Sequence, residues 1–298
     1  MKIYVNREPI VGPYGGGNRV LSAICSELNE RKHIVAFRPE RDIDLIFCMD
    51  PRRSQSGVEY SHLERMRDAF GCPILQRVGD VGTHGKPDLT HLLKKTVQES
   101  DIVVYPSEWA REQISDHVNN SRIIKNKPVG DFYLCREKRD NTSSIFTHHW
   151  SDNRRKGFEL YQSLDRWSGS ENFTFTFMGR VPQGINLSRT VSPGTTDQII
   201  HEMKNHGIYV TASEEEAGAN HVLEAMAAGL PIVYRSSGGS IVEYCKDFGI
   251  QYTTEEELKS ALVEVRDNYD FYSKRVEEFD GTVTDTAKEY VDLMESMC

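Results

Sequence analysis

Two carboxylates, Glu216 and Glu224, stand with seven residues between them in the run Ser213-Glu-Glu-Glu-Ala-Gly-Ala-Asn-His-Val-Leu-Glu-Ala-Met-Ala-Ala-Gly-Leu-Pro-Ile-Val-Tyr234. Glu216 falls on a loop after a strand, and Glu224 a few residues into a helix. Paired carboxylates accept hydrogen bonds from vicinal hydroxyls, and a charged acceptor makes the stronger bond. A ribose and a hexose both present such hydroxyls. Further on, Gly238-Gly239-Ser240 turns into a short helix containing Glu243, and backbone N–H groups at a helix start suit a phosphate. Upstream, Arg154-Arg155-Lys156 precede Gly157 at the start of another helix. Fixed cations there would stabilise charge on a departing phosphate by about 3 kcal/mol for one good donor.

The first half of the chain has its own candidates. Gly15, Gly16 and Gly17 follow the first strand and lead into a helix. Glycines let the backbone approach a ligand closely, and the N–H groups beyond them face an anion at the helix start. This is not the GxGxxG dinucleotide fingerprint, which counts against a dehydrogenase. The loop Gly79-Asp80-Val-Gly82-Thr-His84-Gly85 leaves a strand at its carboxyl end, so Asp80 and His84 are candidates to hold sugar hydroxyls or orient an acceptor. Ser107, before the next helix, reads as its cap.

The stretch from Ser213 to Glu243 resembles the C-terminal signature of the GT-B glycosyltransferases of family GT4. It carries the E-x7-E pair, "EAMA-x-G-x-P" and the later "GG…E". The resemblance implies that Glu224 holds the donor ribose and Glu216 the transferred sugar, with Ala217, Gly218, Asn220, Gly238, Gly239 and Ser240 around the donor. Gly15-Gly-Gly-Asn-Arg19 is similar to the family's "GG-x-x-R" loop, and Lys156-Gly157 to its "K-G". Lys156 is then the phosphate ligand. Many members carry an Arg near the end of the preceding strand; here Trp150 and Ser151 occupy that region, leaving Arg154 or Arg155 to supply a second cation. The resemblance further implies a retaining transfer from a nucleotide-diphosphate sugar to a hydroxyl acceptor such as a glycan. The leaving phosphate would help deprotonate the acceptor, so Glu216, Lys156, His84 and Asp80 are the expected catalytic set. The competing expectation is a catalytically weak sugar- or nucleotide-binding protein on the same fold.

Short apolar runs alternate with amphipathic stretches along the chain. Strands are expected at Lys2–Asn6, His33–Phe37, Leu45–Met49, Ile74–Val78, Ile102–Tyr105, Arg122–Lys125, Ser144–His148, Phe173–Met178, Ile208–Thr211 and Ile232–Tyr234. Helices are expected between them, one of them unbroken over Glu255–Tyr272 and a last one near Asp285–Met297. Alternation of this kind means parallel sheets covered on both faces. The expected class is α/β: two doubly wound Rossmann-like domains facing across a cleft. A polar stretch near Gly130–Ser143 puts the expected boundary near residue 140, giving domains at 1–140 and 141–282, with 283–298 a helix able to pack back on the first.

The net charge of -9 argues against general nucleic-acid binding. The six cysteines lack any CxxC pair, so a zinc site or disulfide framework is not expected, and free thiols fit a cytoplasmic protein. No 18-residue apolar run suggests a membrane span, and the start of the chain does not read as a signal peptide. His148 and His149, adjacent on a strand, point to opposite faces, so no metal and no cofactor beyond the donor substrate is expected.

Overall fold

The computed structural model describes residues 1–10, 15–54, 56–114, 120–137 and 139–298. The first part of the chain alternates strands β1 (Lys2–Val5), β2 (Ile34–Ala36), β3 (Leu45–Cys48), β4 (Ile74–Arg77), β5 (Ile102–Tyr105) and β6 (Ser121–Ile123) with helices α1 (Gly16–Glu30), α2 (Tyr60–Phe70), α3 (Pro87–Glu99) and α4 (Glu108–Ile114). All strand pairs are parallel, in the order β2-β1-β3-β4-β5-β6. Central strands β3 and β4 are buried at every position, as a sheet covered on both faces requires. Helix ends follow local chemistry. Pro87 opens α3, Ser107 Oγ accepts from the Ala110 N–H at 3.0 Å to cap α4, and Gly71 closes α2 in the left-handed conformation. The chain reverses its direction of travel across the sheet between β1 and β3, where open α/β sheets bind ligands.

The second part contains β7 (Ser144–His149), α5 (Phe158–Ser168), β8 (Thr174–Gly179), β9 (Thr190–Val191), α6 (Thr196–Lys204), β10 (Ile208–Thr211), α7 (Asn220–Ala227), β11 (Ile232–Arg235), α8 (Ser240–Cys245), β12 (Gly249–Tyr252), α9 (Glu255–Asp267) and α10 (Tyr269–Glu277). Its parallel sheet runs β12-β11-β10-β7-β8-β9, which puts the switch point between β7 and β10. Strands β9 and β12 were not expected. The first is two residues long, and the second starts on a glycine and has a polar centre, so neither shows an apolar run. The expected single helix over Glu255–Tyr272 is two helices. Asn268 breaks it, its side-chain amide bonding back to the Glu264 carbonyl and carboxylate.

The closing helix, α11 (Val283–Glu295), lies on α1. Ala287, Tyr290, Val291 and Met294 are buried there. Arg31 holds Asp292 at 2.6 Å and Glu295 at 3.0 Å, and Thr286 Oγ1 donates to the Lys125 carbonyl at 3.0 Å. The chain accordingly divides into two compact units, Met1–Asn126 with Val283–Cys298, and Lys127–Thr282. The division falls after Asn126 rather than near residue 140. Within the intervening polar stretch, Phe132 and Cys135 are buried in the second unit's core with Met203 and Ala225, a packing that periodicity does not reveal.

Candidate functional site

In the second unit the switch point collects most of the residues singled out above. β7 ends at His149, and a 3-10 turn, Arg154–Lys156, leads through Gly157 into α5. Gly157 has φ +85°, and a Cβ there would sit 2.3 Å from the Ala212 carbonyl oxygen, so only glycine brings this turn against the end of β10. Asn153 caps the turn, its Oδ1 accepting from the Arg155 N–H at 2.9 Å.

The loop after β10 is zipped to the loop after β11. Glu215 N–H donates to the Ser237 carbonyl at 2.9 Å, Glu216 N–H to the Gly238 carbonyl at 3.1 Å, and Ser240 N–H to the Glu216 carbonyl at 2.8 Å. The Glu214 N–H donates to the Arg155 carbonyl at 2.9 Å, tying in the 3-10 turn as well. Glu215 itself is left-handed at φ +51°, an uncommon state for a non-glycine residue that this lattice of bonds holds in place.

The result is a direct ion pair: Lys156 Nζ donates to Glu216 Oε1, with both side chains mostly buried. The other basic residues are distributed around it. Arg155 pairs with Glu215 at 2.8 Å, Arg235 with Glu214 at 2.6 Å, and Arg154 with Glu159. Trp150 lies under the Arg180 guanidinium, 4.2 Å from ring centroid to carbon.

Glu224 is only 4% exposed, and its Oε2 is 2.8 Å from His148 Nε2. His148 Nδ1 is in turn 3.0 Å from the Tyr209 hydroxyl, whose pKa burial pushes well above the ordinary phenol value. Sequence reasoning weighed His148 only as a metal ligand and did not find this role. The available signal was a polar imidazole near the end of a fully buried strand, which has to find a hydrogen-bond partner. His149 bonds Tyr161 OH at 2.7 Å, and His221 Nε2 lies 2.9 Å from Thr211 Oγ1. Burial holds His221 down to about 3, so it is neutral. Among the described residues no group of three His, Cys, Asp or Glu side chains is placed to hold a metal.

Of the glycine turn, the Gly238 and Ser240 N–H groups are already engaged, by Arg235 and Glu216 carbonyls, and α8 is only six residues long. Ala217 is buried, while Gly218 and Asn220 are partly exposed at the entry to α7.

In the first unit, α1 begins at Gly16, so Gly16 and Gly17 form its first turn rather than a loop before it, and Gly15 is its exposed N-cap. Residues 11–14, including Gly12, lie outside the described residues. A Cβ at Gly15 would meet nothing within 4 Å. Asp80 Oδ2 takes the Lys86 ammonium at 2.6 Å and Oδ1 the Gly82 N–H at 2.9 Å. Burial opposes its charge, but these bonds outweigh it and hold the carboxyl below its usual range. His84 is half-buried in the turn four residues on.

Residues 188–269 match the model of the glycosyl transferases group 1 family. A probable sucrose-phosphate synthase from Thermosipho melanesiensis is 37% identical over 98 residues, which is 31% of this chain and 23% of that protein's length. Among solved structures, Anabaena HepE in complex with UDP covers 99% of this chain and 100% of its own at 14% identity, with a TM-score of 0.73. Sucrose-phosphate synthase from Thermosynechococcus elongatus covers 99% and 98% at 14% identity, with a TM-score of 0.67. The resemblance carried by Ser213–Glu243 is thereby borne out, and the two-sheet α/β fold is shared with glycosyltransferases along the chain.

Proposed function

We propose that the protein is a glycosyltransferase that moves a hexose from a nucleoside-diphosphate sugar to a hydroxyl acceptor, with retention at the anomeric carbon. The observation that carries this is the Lys156–Glu216 pair at the β7/β10 switch point, next to the buried Glu224. In the bound state Glu224, oriented by His148, accepts from the ribose hydroxyls, and Glu216 accepts from the hexose. Lys156 turns from Glu216 toward the diphosphate, with Arg155 and the Gly238–Ser240 turn close by. As the bond from C1 to the phosphate oxygen breaks, Lys156 stabilises the charge on the leaving diphosphate. The acceptor oxygen bonds C1 on the same face, and its proton passes to the leaving phosphate. Positioning and fixed charge then do the work of a base, and neither metal nor cofactor takes part. Asp80 and His84 belong to the acceptor's side of the reaction. Among the described residues no helix is long and apolar enough to cross a membrane.

UDP is the first nucleotide to test, because it accompanies several of the similar structures, with GDP and ADP hexoses beside it. Incubation with each donor and a set of glycan acceptors should release nucleoside diphosphate and yield an α-linked product from an α-linked donor. A Glu216→Ala variant should lower turnover by about 100-fold or more. Full activity in that variant would remove Glu216 from the site; binding of donor without turnover on any acceptor would make the protein a binding module instead.

A further inference from the structure

The first unit holds a cavity of about 260 Å³ at the carboxyl ends of β1, β3 and β4, the switch point of its sheet. Arg7, Asp50, Arg52, Arg77 and Asp80 line it, together with Gly17 and Asn18 from the first turn of α1. Arg77, the last residue of β4, is 3% exposed. Among the described residues, the groups in contact with its guanidinium are neutral. Asn126 Oδ1 is 3.3 Å away, and the Tyr290 phenol beside it is pushed up to about 12 by burial. Among the described residues its Nε has no hydrogen-bond partner, nor does that of Arg7.

Three acids line the cavity: Glu8 is exposed, and the other two are paired with basic side chains. Asp50 is held by Arg52 at 2.5 Å and by Arg7 at 3.7 Å, and Asp80 by Lys86 at 2.6 Å. A guanidinium buried without a carboxylate is costly unless an anion completes it. The start of α1 adds to the demand, since its first turn has no acidic residue.

We infer that this cavity takes an acceptor bearing an anionic group, a phosphate monoester or a carboxylate, held by the Arg77 guanidinium and the start of α1, while Asp50 and Asp80 accept from its hydroxyls. The inference rests on the transferase reading, since it names the class of molecule that receives the sugar. The planar fork of Arg77 suits two oxygens of one anionic group.

Calorimetric titration of the full chain with glucose 6-phosphate, glucuronate, glucose and UDP tests it. At least one anionic sugar should bind about tenfold more tightly than glucose, and should still bind when UDP is saturating. Arg77→Met should remove that preference and leave UDP affinity unchanged. Gly79→Ala is the second variant, because its Cβ would lie 1.9 Å from Arg77 Nη1 and must displace the guanidinium without removing its charge. It too should lose the anionic sugar. Equal affinity for glucose and the anionic sugars, no saturable binding of either anion at millimolar concentration, or an unaffected Arg77→Met protein would overturn the inference. Displacement of the anionic sugar by UDP would also overturn it, assigning the cavity to the donor's phosphate. The UDP titration separates the two readings: failure to bind any nucleotide counts against the transferase proposal, and loss of the sugar preference alone counts only against the anionic acceptor.

Discussion

His148 and Glu224 depend on each other. A carboxylate 4% exposed needs hydrogen-bonding partners, and His148 supplies one at 2.8 Å while Tyr209 fixes the other side of the imidazole ring. Replacing His148 with Phe should remove a hydrogen bond from a buried carboxylate, costing about 1–3 kcal/mol of stability. It should also weaken nucleotide binding more than turnover, because Glu224 is assigned to ribose and not to the reacting carbon. Urea unfolding and calorimetric titration with UDP read the two effects; unchanged nucleotide affinity would separate Glu224 from the ribose. The E-x7-E spacing was legible at this scale, but its partner was not. Seventy-six residues separate His148 from Glu224, and only the adjacency of β7 and β10 brings them together.

The elements that set the site are two loops and a turn. Gly157 lets the Lys156 turn touch Ala212, so Gly157→Ala should cost roughly 2–4 kcal/mol, from left-handed strain and the clash together. It should also move Lys156 away from Glu216. A variant as stable and active as the parent would show that the turn tolerates a shift. Helix α7 carries a second consequence. His221 is neutral with a folded pKa of about 3, against an ordinary value of 6.5. Below 6.5 the unfolded chain takes up a proton that the folded chain refuses. Stability of the second unit should therefore fall from pH 6.5 towards pH 3, by up to about 1.4 kcal/mol per pH unit. Urea midpoints at pH 7.5 and 5 measure the slope, and His221→Asn should flatten it; an equal slope in both proteins would locate the proton uptake elsewhere. Helix α7 itself was readable from its small residues and the Gly229-Leu230-Pro231 stop, whereas β9 and β12 were not. Two to four residues with polar centres pair only because a sheet edge is already there.

Across the molecule, the last sixteen residues return to the first unit. α11 buries Tyr290, Val291 and Met294 on α1 and the sheet, with the Phe47 and Tyr290 ring centroids 5.9 Å apart. Each such side chain is worth about 1.5–3 kcal/mol of burial, against a typical domain stability of about 5–15 kcal/mol. A chain ending at Thr282 should lose the fold of the first unit and keep that of the second. Limited proteolysis with mass spectrometry should then recover fragments within residues 127–282 and digest 1–126; equal protection of both would show that α11 is dispensable.

By itself the sequence determined the α/β class, most of the strands and the donor-side signature. Parallel strands buried on both faces are short apolar runs, and helix stops and glycine turns are local chemistry. Local pattern also placed Glu216, Glu224 and Lys156 on loops and helix starts at strand ends. Only the tertiary structure decided which of these meet. It joined Lys156 to Glu216 and His148 to Glu224, committed two of the three N–H groups of the Gly238–Ser240 turn to internal bonds, and left Arg77 buried with no carboxylate partner among the described residues. The physical reason is common to all four. Strand order, not sequence distance, sets which side chains are neighbours, and whether a charge is satisfied depends on every element packed around it.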